Sequence, residues 1–226
     1  MATTSTTSTG STRSGLRWGG IGGIVFAVLF VIGFLFMSDT PDGNASNREW
    51  LKYFRDSGNR RMLVIGALVL AVAAIGFLVF LGVLRERVRS ALPASEWVAT
   101  VAFASGLTFV AMLAVFALGQ GSVAAGVVFG DNPVPLDADI MRAFVSAGFG
   151  ALLVFGAAAA GLLVVTTSIA GGRGGLLPRW IVVTGYVVGV LVIVGSLLFF
   201  PFILFVLWML AVSIVMLRGS GAAATG

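Results

Sequence analysis

From Trp180 to Leu217 the chain runs thirty-eight residues without one charged side chain, interrupted only by Pro201. A run of this kind is stable where lipid replaces water, because a helix satisfies its own backbone donors and acceptors there. As one straight helix it would be about 57 Å long, nearly twice a hydrocarbon core of about 30 Å. Proline removes a backbone donor and disfavours helix at the residue before it. The stretch therefore reads as a hairpin of two crossings, Trp180–Ser196 and Phe202–Leu217, turning at residues 197–201. A single Pro-kinked helix is the rival reading, and it would place the C-terminus on the other side.

Four further apolar spans precede this pair: about 20–37, 62–84, 97–119 and 140–170. With 58% apolar and 10% charged residues, the chain has more apolar surface than one soluble core hides. The expected fold is all-α, a polytopic transmembrane helix bundle of six spans over residues 20–218. Residues 1–19 read as a disordered Ser/Thr-rich cytoplasmic tail, since ten of the first fifteen are Ser or Thr. Residues 219–226 read as a flexible tail. Arg13 and Arg17 precede the first span, which reads as an uncleaved signal-anchor; Gly43-Asn44-Ala45 is too distant and too polar for a cleavage site.

Cysteine and histidine are both absent. Thiol catalysis, disulfides, Cys/His zinc sites and haem held through His or Cys are thereby excluded, and no cofactor is expected. The basic pI of about 11.0 comes from residues scattered between apolar spans, so nucleic acid is not an expected partner. With both termini inside, the inner segments hold eight Lys/Arg and two acids, the outer ones six and seven. That distribution favours cytoplasmic termini in a bacterial plasma membrane.

The first outer loop contains an amphipathic helix at about 47–57. Ser46 and Glu49 form a capping box, and Gly58 is placed to end it. At 100° per residue, Trp50, Leu51, Tyr53 and Phe54 share one arc, opposite Arg48, Glu49, Lys52, Arg55 and Asp56. The pattern predicts a helix lying at the membrane interface with its aromatics toward the acyl boundary; a lid over a pocket between the spans is the alternative. Asn44-Ala45-Ser46 is formally a glycosylation triplet, though capping accounts for Ser46. Residues 120–136, broken by five Gly and Pro residues, read as a loop packed on the outer end. Asp137 or Asp139 caps the fourth span. Arg60 and Arg61 face these aspartates across the outer surface, so loop–loop ion pairs are expected. Asp131, Asp137 and Asp139 could also form a cation site, but turn and cap roles explain them.

The six spans contain few polar groups at depth. Ser105, Thr108, Ser146, Thr184 and Tyr186 could line a cavity, and Ser213 lies in the last span; hydroxyls on helices more commonly bond back to their own turn. Small residues four apart recur at Gly19/Gly23, Ala67/Ala71, Ala147/Ala151, Gly156/Ala160, Ala157/Gly161 and Gly185/Gly189. They predict close internal packing, with a homodimer as the lesser use. Leu92-Pro93 before Trp97 and Leu177-Pro178 before Trp180 hint at a parallel repeat, but proline and Trp are common at membrane boundaries.

The aromatic-bearing loop (Trp50, Tyr53, Phe54) running into Arg60-Arg61, the Leu84-Arg85 exit and the Leu177-Pro178-Arg179-Trp180 lead-in carry a resemblance. They resemble a family of uncharacterised actinobacterial membrane proteins with six spans. The likeness covers most of residues 20–218 and implies architecture; it supplies no activity or catalytic residue. The expected function is non-catalytic: a structural, partner-binding or lipid-binding membrane component. The expected partners are membrane lipid and either a membrane-protein partner or a second copy. A small permease for neutral or hydrophobic substrates is the alternative. A water-lined cavity touching Ser105, Thr108 and Thr184 would favour the permease. A solid bundle with an exposed apolar groove would favour binding.

Overall fold

The computed structural model describes residues 8–130, 137–195 and 200–222, and every element among them is helical. In chain order they are α1 (Ser8–Met37), α2 (Asn47–Arg55), α3 (Ser57–Ala91), α4 (Glu96–Gly130), α5 (Ala138–Gly150), α6 (Ala157–Arg173), α7 (Arg179–Val194) and α8 (Phe200–Ala222). A π-helical turn, Ala151–Gly156, joins α5 to α6 without a break.

Four stretches have the length and apolarity to cross a membrane: Gly15–Met37, Ser57–Ala91, Pro93–Gly130 and Ala138–Arg173. Arg179–Val194 and Phe202–Arg218 are apolar but shorter. At 1.5 Å per residue α7 reaches about 24 Å, short of a core of about 30 Å. Of the six expected spans, four have the length and apolarity to cross, and the apolar parts of the last two are shorter.

Four boundaries also depart from expectation. The expected N-terminal tail is helical from Ser8 onward, and the C-terminal one is helical to Ala222. Residues 120–130 are helix, not loop: Gly121 and Ala124 are buried, and a Cβ on Gly121 would stand 3.3 Å from the Ala67 side chain. Small residues that weaken an isolated helix are retained where another helix presses on them. Gly58 does not end α2. Asp56 is both the C-cap of α2 and the N-cap of α3, its carboxylate accepting the Asn59 N–H at 3.0 Å. Pro201 sits at the second position of α8, where a missing N–H costs nothing. The expected turn at 197–199 and Asp131 lie outside the described residues.

The six membrane-type helices close into a ring. α1 packs on α3, α3 on α4, α4 on the α5–α6 helix, α6 on α7, α7 on α8, and α8 returns to α1. Each neighbour runs antiparallel to the last, so α1 begins and α8 ends at the same end of the bundle. Lipid offers no hydrophobic drive between helices, so close backbone approach has to replace it. Reciprocal glycine pairs supply that approach. A Cβ on Gly22 would lie 2.6 Å from the Gly76 carbonyl oxygen, and one on Gly76 would lie 2.9 Å from that of Gly22. Gly33/Gly66, Gly119/Gly148 and Gly161/Gly189 repeat the device at three more places. Of the expected small-residue pairs, Gly19/Gly23, Gly156/Ala160, Ala157/Gly161 and Gly185/Gly189 are buried inside the bundle, whereas Ala71 and Ala147 are exposed and Ala67 and Ala151 half-buried.

The centre of the ring is filled with phenylalanine. Phe26, Phe77, Phe109 and Phe205 come from α1, α3, α4 and α8, and all are fully buried. Their ring centroids stand 4.7 Å (Phe26–Phe77), 5.3 Å (Phe77–Phe109) and 5.1 Å (Phe109–Phe205) apart. Tilted and edge-on pairs of this kind add to area burial by about 0.5–1.5 kcal/mol each. Antiparallel order gathers Arg17, Arg85, Arg87, Arg89, Arg173, Arg179 and Arg218 at one end, with Glu86 and Glu96. There Arg89 pairs with Glu96 at 3.5 Å, and the Arg85 guanidinium lies 4.9 Å from the Phe103 ring centre.

Candidate functional site

The end opposite this basic rim is closed by α2. Its aromatic face turns onto the bundle: Trp50 and Phe54 are buried, and Leu51 and Tyr53 are half-buried, against α3 and α5. This replaces the expected interfacial orientation. The aromatics are already covered by protein, so α2 is a cap, while Arg48, Glu49, Lys52 and Arg55 face outward. The capping box is formed, with Ser46 N–H donating to Glu49 Oε2 at 2.8 Å. The Ser46 hydroxyl and backbone bonds hold the Glu49 carboxyl below its ordinary value. Trp50 Nε1 donates to the Asp42 carbonyl at 3.2 Å.

The two outer segments do meet, but through a residue other than those expected. Arg142 of α5 donates from Nη2 to the Ala45 carbonyl and to Asn47 Oδ1, each at 3.0 Å. Its Nη1 pairs with Asp139, and its guanidinium lies 5.8 Å from the Trp50 ring centre. Arg60 is used locally instead: its Nη1 donates to the Phe54 and Arg55 carbonyls at 2.7 Å each, satisfying the end of α2. Arg61 is exposed. Asp137 accepts the Asp139 N–H at 2.8 Å as the cap of α5. The spacing of Asp139 and Arg142 reads from sequence as an i,i+3 pair, and that local reading hides the bonds Arg142 makes ninety-odd residues away.

Beneath the cap lies Gln120, missed because the segment read as loop. It is 1% exposed, with Oε1 3.4 Å from Thr40 Oγ1. Thr40 also donates to the Met37 carbonyl at 2.9 Å and bonds Tyr53. Burial pushes the Tyr53 phenol above its ordinary value, the Thr40 bond opposes the shift, and Asp39 adds to it.

The candidate cavity residues do not converge. Ser105 is buried, whereas Thr108, Ser146, Thr184 and Tyr186 are on the outer surface of the bundle. Thr108 bonds back to the Ala104 carbonyl at 3.0 Å and Thr184 to that of Trp180 at 2.8 Å. The buried hydroxyls are mostly others: Thr166, Thr167, Ser168 and Ser213. Ser168 and Ser213 donate at 2.8 Å to carbonyls four residues earlier. Thr167 Oγ1 has no hydrogen-bond partner and lines a notch of about 20 Å³ beside Arg87. Among the described residues no cluster of three or more carboxylates suits a metal.

A groove of about 520 Å³ lies between α1 and α8. All twelve residues that line it are aliphatic or phenylalanine. Ala27, Phe30, Phe202 and Val206 form a buried floor, while Val28, Val31, Ile203 and Leu207 stand exposed along the rim. The volume falls within the roughly 300–1,000 Å³ of small-molecule sites, but nothing polar is present to orient a polar guest. Such a surface can hold hydrocarbon and can do no acid–base, nucleophilic or phosphate chemistry. Comparison with protein families, with curated proteins and with solved structures finds no match.

Proposed function

We propose that this chain is a non-catalytic, lipid-binding component of a bacterial plasma membrane. In this reading it crosses the bilayer six times, with both termini cytoplasmic and the first helix an uncleaved anchor. The single observation that carries the binding role is the all-apolar groove between α1 and α8 on an otherwise Phe- and Gly-packed bundle. The occupant is a lipid acyl chain, because the groove opens sideways from apolar helices and its wall matches hydrocarbon alone. The short α7 would complete its crossing by locally thinning the bilayer. The even number of antiparallel helices and the basic rim at the shared end support cytoplasmic termini. The resemblance to an actinobacterial six-span family belongs to the same proposal. A permease has less support, since Thr108 and Thr184 point away from the interior where a substrate path would run.

Native mass spectrometry of gently extracted protein tests the function. Retained lipid on each chain, displaced in an Ile203→Trp variant that fills the groove, is the expected result. A lipid-free monomer, or a dimer that loses no lipid when the groove is filled, would sink it. The cysteine-free background permits single-cysteine labelling at positions 17 and 218 for topology, and both are expected to react from the cytoplasmic side.

A further inference from the structure

The groove is not symmetric along its length, and the cause is local. Toward the basic end, Gly20 and Gly23 draw α1 against α8. A Cβ on Gly20 would stand 2.9 Å from the Ser213 carbonyl oxygen, and one on Gly23 would collide with the Ser213 hydroxyl. Toward the α2 end no glycine faces α8. There Phe30 of α1 and Phe202 of α8 are both buried on the floor of the open groove. The groove thus begins beside Leu35, two residues before α1 ends, and terminates near Ala27 and Leu210.

We infer that the groove is a single-leaflet site: it takes one acyl chain from the leaflet on the α2 side, ester end toward Leu35 and terminal methyl toward Ala27. This rests on the lipid-binding reading and adds an orientation to it. The nine residues from Leu35 to Ala27, eight helical rises, cover about 12 Å. One leaflet of a core of about 30 Å is about 15 Å deep, so the groove matches one chain's depth and stops before the midplane. A chain from the opposite leaflet would have to pass the closed Gly20/Gly23 contact, where no room is left beside Ser213. With no polar atom in its wall, the site reads the tail and is indifferent to the headgroup.

Two photoreactive phosphatidylcholines test this, one with a diazirine near the ester and one with it near the terminal methyl. Each is mixed into vesicles holding the full chain, irradiated, and the adducts mapped by peptide. The ester-proximal probe is expected to mark residues near Leu35 and Ile203, and the methyl-proximal probe those near Ala27 and Leu210. Val31→Trp and Ile203→Trp are each expected to abolish both sets. Ile75→Trp, on an exposed α3 position outside the groove, is expected to leave them intact. Reversed order of the two probes would overturn the leaflet assignment while leaving lipid binding in place. Adducts unaffected by either filling variant, or spread evenly over the outer faces of α3 and α7, would overturn the binding site itself.

Discussion

Replacing Arg142 by alanine tests how the outer end is held shut. The side chain makes two charge-assisted bonds to the first outer segment, to the Ala45 carbonyl and to Asn47 Oδ1, and lies over Trp50. Bonds to charged groups contribute about 1.5–3 kcal/mol each and a partly exposed cation–π contact about 0.5–1. The pair with exposed Asp139 contributes little, because solvent screens it. Water replaces part of what is lost, so the net expected cost is about 2–3 kcal/mol, felt by the cap before the bundle. At about 1.4 kcal/mol per tenfold, amide exchange in α2 should accelerate by about 30- to 150-fold. The assay is hydrogen exchange read peptide by peptide on purified protein. Peptides from α6 and α7 should keep their protection, and Arg61→Ala should behave as the parent does. Arg142→Lys should recover little, because an ammonium cannot span two acceptors as the planar guanidinium does. Unchanged α2 exchange in Arg142→Ala would refute the clamp, and equal acceleration everywhere would show that Arg142 supports the whole fold.

Gly22→Val should destabilise by about 1–3 kcal/mol or more, since its Cβ must occupy space held by the Gly76 carbonyl, whereas Gly82→Ala, with nothing within 4 Å, should be neutral or stabilising; melting temperatures in detergent compare them. Phe109→Ala opens a cavity where the rings of α1, α3 and α8 meet and should cost about 3–5 kcal/mol, measured in the same way. Thr167→Val removes a buried hydroxyl without a partner, so stability should stay level or rise by about 1 kcal/mol; a marked loss would show that the hydroxyl is satisfied. Tyr53 has a phenol raised above 10.0 by burial, so folding favours its neutral form. The stabilisation is present below pH 10 and is lost as pH climbs through the folded value. An ultraviolet titration in a Tyr186→Phe background should place Tyr53 ionisation above 10.0 and coincident with faster exchange in α2; ionisation at or below the ordinary value would contradict the burial.

The α2 cap illustrates how much was legible. Trp50, Leu51, Tyr53 and Phe54 on one arc, with Ser46 and Glu49 at the start, foretell the helix and its amphipathic face, because both follow from spacing along one element. What that face touches does not. Lipid and protein are equally apolar partners for Trp50 and Phe54, and only the placement of α3 and α5 selects protein. The expected Arg60–Asp137 contact failed for a related reason. Ion pairing across loops depends on where two chain segments end in space, and Arg142, which the sequence reading did not single out, holds the first segment instead. Gln120 was hidden because Gly121, Gly126, Gly130, Pro133 and Pro135 signal a loop to local propensity, although Gly121 is where α4 continues against Ala67 of α3.

What the sequence alone determined is the solvent and the class: long apolar runs without ionisable groups must be helices in lipid, whatever their neighbours, since the constraint acts within each segment. The tertiary structure decided which faces remain open. Closure of six helices into a ring, phenylalanines at its centre and the unequal approach of α1 and α8 depend on which side chains meet across helices far apart in the chain. The groove ends where Gly20 and Gly23 bring α1 against Ser213 and Leu217 of α8, a property of the pair that neither sequence segment carries by itself.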